Sequence, residues 1–138
     1  MANATKQLAK QLGSVPIFSK LTAKHRTMIA ELGKTVQWAD GKVGVKEGSN
    51  ASAFFYIVDG TVTVSRNGKK VATLKGGDFF GELALLTGGK RTATVTASSD
   101  TELFAIGRSA ITPVIRTNPD FAIDLISAVA RRFADESK

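Results

Sequence analysis

The chain contains no cysteine and one histidine, His25. Without thiols there are no disulfides, thiolate nucleophiles or thiolate metal sites, and a lone imidazole supplies neither a zinc site nor a conventional catalytic triad. Metal ligation and triad chemistry are therefore not expected. Long apolar runs are missing too: nothing approaches the roughly eighteen consecutive apolar residues of a membrane span. The N-terminal "MANATKQLAK" is polar and periodic, not a basic-then-apolar leader. A cytoplasmic protein with no membrane span is expected. Acidic residues are scarce at one end, where residues 1–34 hold Lys6, Lys10, Lys20, Lys24, Arg26 and Lys34 against Glu31 alone, +5 of the total +7. That local excess reads either as a solvated helical face or as a surface on which an acidic downstream protein docks.

What is present suffices for one core: 138 residues, 43% of them hydrophobic, with no internal repeat or low-complexity linker. A single domain, 1–138, is predicted. Over 1–34, Leu8, Leu12, Ile29 and Leu32 recur at helical spacing with Ser14 to Pro16 interrupting, which predicts two short helices and a surface His25 on the second. Over 35–106 the pattern becomes short strands, "FFYIV", "TVTVS", "KVATL", "TATVTA" and "ELFAI", punctuated by glycines, with Asn67-Gly68 as the best hairpin turn. Over 107–138 the helical period returns. Ser109 is read as the cap of a short helix, and Asn118-Pro119 as a cap followed by proline at the first helical position. Phe121, Leu125, Ala128, Val129 and Phe133 fall on one stripe of the last helix, a core face first. Arg131 and Arg132 fit the end of that helix as cations complementing its dipole.

One segment, "FFGELALLTGGKRTATV" at 79–95, breaks the strand pattern. "GELALL" lacks period-two alternation and is rich in helix formers, which predicts a single helical turn over 82–86. The unpaired N–H groups of such a turn can hold an anion on the backbone of Leu83 and Ala84, with Gly81 allowing close approach. Arg91, expected on the next strand, offers a guanidinium fork suited to phosphate. Glu82 would repel an anion unless it faces a hydroxyl, as a ribose 2′-OH would provide. One phosphate, one sugar hydroxyl and an apolar wall describe a cyclic nucleotide. The structural alternative is a plain ion pair between Glu82 and Arg91, with Thr92 only a strand residue.

These residues resemble the phosphate-binding cassette of the cyclic nucleotide-binding domain family, roughly Gly-Glu-apolar-Ala, a short insert, then Arg-Ser/Thr/Ala-Ala. The likeness extends to "VPIFSKLTAKH", to "VKEGSNASAFFYIVDGTVTV" with Gly48 and Gly60, and to "NPDFAIDLISAVARRFAD", which is similar to the C-terminal helix of bacterial catabolite-activator-type regulators. It covers about residues 15–135. The resemblance implies a mainly β fold, a jelly-roll-like β-roll with N-terminal helices, an embedded phosphate-binding helix and a C-terminal lid helix. It implies Glu82 on the ribose 2′-OH and Arg91 on the cyclic phosphate. The backbone of Leu83, Ala84, Thr92 and Ala93 would meet the phosphate oxygens, and Val64 and Val71 would form the base wall. A hydroxyl at Thr92 is associated in the family with tolerance of guanine, and Arg132 is the candidate to reach back to the ligand. Lys90 stands where a proline often precedes the family's arginine. Because relatives of the activator type continue into a helix-turn-helix, a chain ending at Lys138 is expected to be a sensor without sequence-specific DNA binding. The resulting expectation is a binding module for cyclic AMP, or else cyclic GMP, with no further cofactor and no metal. Two other classes were weighed: a phosphodiesterase, for which no metal ligands or placed base occur, and a protein-interaction domain of the same fold that no longer binds a nucleotide.

Overall fold

The computed structural model describes residues 2–19, 21–50, 52–81 and 89–136, with side chains described except at 2–5, 16, 17, 128, 129 and 131–136. The chain divides into two compact units, one of residues 1–33 with 109–138 and the other of residues 34–108. No helix among the described residues is long and apolar enough to cross a membrane.

The 34–108 unit is all β. Strands β1 (Lys34–Trp38), β8 (Thr101–Gly107), β3 (Ala53–Asp59) and β6 (Phe79–Phe80) form one antiparallel sheet in that order. Strands β2 (Val43–Val45), β7 (Thr94–Ala97), β4 (Thr61–Arg66) and β5 (Lys69–Lys75) form the other. Period-two patterning decides which faces meet. Trp38, Ile57 and Leu103 from the first sheet and Val45, Val62, Val95 and Ala97 from the second make one buried cluster. This is the predicted β-roll. The β4–β5 hairpin closes on Asn67-Gly68, with φ 51° and 78°, the left-handed pair that a two-residue turn of the right twist requires.

The chain passes between the sheets at Gly60, which separates β3 from β4 and has φ 107°. A Cβ there would lie 2.6 Å from Thr101 Oγ1 and 2.7 Å from the Asp100 carbonyl. Thr101, 1% exposed, has no room to yield: its hydroxyl donates to the carbonyls of Thr61 (3.0 Å) and Ser99 (2.8 Å).

The helical unit contains α1 (Ala2–Leu12), α2 (Pro16–Ser19), α3 (Ala23–Leu32), the greater part of α4 (Arg108–Thr117) and α5 (Pro119–Glu136). Three N-terminal helices stand where two were predicted. Proline at the first helical position lets a four-residue turn restart at Pro16 after the break at Ser14, whose hydroxyl donates to the Gln11 carbonyl. Ser109 is not a cap but lies in the first turn of α4. The helix continues directly from β8, and its first N–H, on Arg108, donates to the Ser52 carbonyl at 2.8 Å. Pro119 takes the first position of α5 as predicted, while Asn118, read as its cap, turns its side-chain amide back to the Val114 carbonyl (3.2 Å) and the Thr117 hydroxyl (3.1 Å); Phe121 and Leu125 are buried.

His25 is not a surface residue. Its ring is 13% exposed, stands edge-on to Phe121 at 5.3 Å, and Nδ1 donates to Asp124 Oδ2 at 3.0 Å. The same carboxylate oxygen accepts from the Thr22 N–H (3.2 Å), while Thr22 Oγ1 caps α3 by accepting from His25 N (3.2 Å). Single-sequence periodicity missed this because the partner lies 99 residues away. For the fold as a whole, Gly60→Ala is expected to lower stability by about 1–3 kcal/mol, the cost of a strained backbone residue, read as a shift in the urea midpoint. A parental midpoint would contradict the packing at Thr101.

Candidate functional site

Arg91 is half-buried and lies just before β7, not on a strand as the sequence reading expected. Its backbone is held from both sides: Arg91 N donates to the Ser49 carbonyl (2.7 Å), and the Arg91 carbonyl accepts from Gly48 N (2.9 Å). Lys90 forms an isolated bridge with Asn50 next to it. The side chain then runs to the edge of β3, where Nη2 donates to the Ala53 carbonyl at 2.5 Å and Cζ stands 6.0 Å from the centre of the Phe55 ring.

Gly81 fits against this guanidinium. It follows β6, whose Phe80 pairs with Phe55 across the ladder, and it has φ 78°. A Cβ at this position would overlap Arg91 Nη1 and sit 2.9 Å from the Ala53 carbonyl. The fold thus brings together two residues that the sequence separates by ten, and only glycine leaves room for the contact. Beneath lies an aromatic floor: Phe55 stacks on Phe80 at 5.1 Å and 21°, and Trp38 tilts against Phe55 at 5.2 Å.

Among the described residues the charge at this spot is of one sign. Burial pushes the Arg91 guanidinium down from its ordinary pKa, the direction expected for a cation that loses water without gaining a full counter-charge. Among the described residues its hydrogen-bond partners are carbonyls and an amide, and none is a carboxylate. A cavity of about 260 Å³ opens beside it, bounded by Val43, Val45, Lys46, Ala53 and Phe55 among others, with no Asp or Glu among its described lining residues. A site with a guanidinium, a second cation and an apolar floor suits an anion that carries an apolar body.

The other predicted residues fall in several places. Thr92 is exposed and Ala93 half-buried, both in the bend before β7, so Thr92 is not the strand residue of the alternative reading. Val64, on β4, is half-buried against the core cluster. Val71 is 52% exposed and is passed over by the ladder, which steps from Val64↔Ala72 to Ser65↔Lys70, so it is the extra residue of a β-bulge. Neither valine is among the described residues bounding the Arg91 cavity. Glu82, Leu83, Ala84, the helical turn over 82–86 and any Glu82–Arg91 pair lie outside the described residues, as do the side chains of Val129, Arg131, Arg132 and Phe133. Sequence reasoning missed the Ala53 carbonyl and the Phe55 floor. The aromatic pair in "AFFYIV" was the available signal for the second, and a carbonyl leaves no signal in residue identity.

Residues 35–118 match the cyclic nucleotide-binding domain family. A cAMP-dependent protein kinase regulatory subunit of Hypocrea atroviridis is 37% identical over 99 residues, which are 72% of this chain and 21% of that protein. A cGMP-dependent protein kinase of Toxoplasma gondii is 37% identical over 101 residues, 72% of this chain and 10% of that one. The chain therefore spans about a fifth or less of the length of these two relatives. In three dimensions it is similar to the N-terminal domain of a transcriptional regulator from Streptomyces coelicolor A3(2), with a TM-score of 0.84 and 27% identity, covering 91% of this chain and 94% of that one. Because the matched residues take in both sheets and the helix that follows them, the chain belongs to the cyclic nucleotide-binding domain family.

Proposed function

We propose that this chain is a cyclic nucleotide sensor, a binding module and not an enzyme, with cyclic AMP as its first ligand and cyclic GMP as its second. The observation that carries the reading is Arg91: among the described residues, a half-buried cation with no carboxylate beside it, backed by Gly81 and open to a cavity with no Asp or Glu in its described lining. Both nucleotides enter through relatives named for dependence on cAMP and on cGMP. In this reading Arg91 grips the cyclic phosphate, aided by the backbone of Leu83, Ala84, Thr92 and Ala93. Glu82 takes the ribose 2′-OH, Val64 and Val71 line the base, and Arg132 closes on the ligand.

The output is movement of α5. Its last turns read "ARRFADE", where Asp135 and Glu136 oppose the helix dipole. A ligand that contacts one position of α5 more than another shifts the balance by that difference and no more. The downstream protein is an acidic one docking on the basic α1 and α3, which carry exposed Lys6, Lys10 and Lys24.

Titration calorimetry with cyclic AMP, cyclic GMP and a non-cyclic nucleotide tests the reading, since a same-fold domain without a ligand would bind none of them. Arg91→Ala is expected to weaken cyclic nucleotide binding by about 2–5 kcal/mol, as for truncating one partner of a buried charge pair, with the fold kept. Equal affinity in variant and parent would sink the phosphate assignment. Glu82→Ala is expected to cost about 1.5–3 kcal/mol with cyclic AMP and far less with its 2′-deoxy analogue, and an equal loss for both ligands refutes the ribose contact. On adding cyclic nucleotide, the amides of residues 125–135 are expected to gain hydrogen-exchange protection, with a smaller change around Asn67-Gly68. Protection confined to residues 79–95 would leave binding intact and overturn the α5 output.

A further inference from the structure

Glu47 lies in the turn between β2 and β3, its side chain half-buried. Its N–H donates to Thr94 Oγ1 at 3.0 Å, at the start of β7. Its carboxylate Oε1 accepts from Asn67 N at 3.0 Å, at the tip of the β4–β5 hairpin, where Asn67 is in the left-handed conformation. The next two residues, Gly48 and Ser49, are the ones that hold the backbone of Arg91. The turn itself is closed by Ser49, whose N–H and hydroxyl both donate to the Lys46 carbonyl at 3.1 and 2.5 Å. The four-residue segment Lys46–Ser49 is therefore bonded to the hairpin tip, to β7 and to Arg91, and Glu47 makes the first two of these links.

We propose that Glu47 is a positioning residue of the nucleotide site, fixing the Arg91 backbone against the β4–β5 hairpin so that the guanidinium keeps a set place relative to the strands carrying Val64 and Val71. The inference rests on the reading of Arg91 as the phosphate ligand. Glu47 is an acid near an anion site, in a neighbourhood that also holds Lys46, Arg66, Lys69 and Lys70. By Coulomb's law alone, deleting its charge tightens the binding of an anionic ligand, most of all at low salt. A positioning role requires the reverse, and it requires the acceptor oxygen more than the charge.

Titration of the parent, Glu47→Ala and Glu47→Gln with cyclic AMP and cyclic GMP at low and moderate salt separates the two. Glu47→Ala is expected to bind about tenfold more weakly than the parent at both salts, while Glu47→Gln, which keeps an acceptor for Asn67 N, stays within about twofold. The Asn67 amide is expected to exchange faster in Glu47→Ala and at the parental rate in Glu47→Gln. Parental or tighter binding by Glu47→Ala overturns the proposal, as does an equal loss in both variants. If Glu47→Ala does not fold, Thr94→Val removes the acceptor of the Glu47 N–H without altering charge. Several-fold weaker binding then supports the brace and parental affinity overturns it. A parent that binds neither nucleotide defeats the assignment of Arg91 along with this one, whereas a binding parent with an indifferent Glu47→Ala defeats this one alone.

Discussion

Among the described residues, a guanidinium half withdrawn from water with no carboxylate beside it is the constraint around which the candidate site is built. One carbonyl and an aromatic face satisfy part of the Arg91 side chain. A hydrogen bond to a charged group is worth about 1.5–3 kcal/mol, and among the described residues the side chain makes one. Burial is the cause of the lowered pKa. The fork of a guanidinium offers an anion two parallel donors, a geometry that a lysine ammonium does not reproduce.

The surrounding architecture serves to keep that charge in place. Phe55 and Phe80 are opposite each other in the β3–β6 ladder, so the floor is part of the sheet and does not depend on a loop for its position. Bulges interrupt the ladders at Val43/Val45, Ile57/Asp59 and Val64/Ser65, each turning side chains away from strict alternation. Val45 therefore belongs to the buried cluster while Val43, two residues earlier, is 54% exposed. Both border the cavity, which shows how a strand end can contribute to a core and to a site within three residues.

Local chemistry was legible where it was self-contained. "FFYIV", "TVTVS" and "KVATL" became β3, β4 and β5, because alternation reports directly on which face is buried. Asn67-Gly68 and Asn118-Pro119 were readable for the same reason: each residue pair carries its own backbone preference. What escaped depended on partners distant in sequence. His25 looked like one more polar residue of a helix, and only the placement of Asp124 and Phe121 buries it. Arg91 was identified as the cation of the site, but its seat before β7 is set by Gly48 and Ser49, and its side-chain partner is the carbonyl of an alanine. Ser109 had the right chemistry for a cap, and a strand running straight into a helix left it no cap to fill.

The Asp124 carboxylate has a mechanical meaning as well as an energetic one. It sits in the second turn of α5 and accepts from both the Thr22 N–H before α3 and the His25 ring, while Phe121, three residues earlier, lies against that ring. Segments about a hundred residues apart are in this way clasped into one lever. The opening turns of α5 and the head of α3 therefore share one anchor, and loss of the Asp124 carboxylate would free both at once.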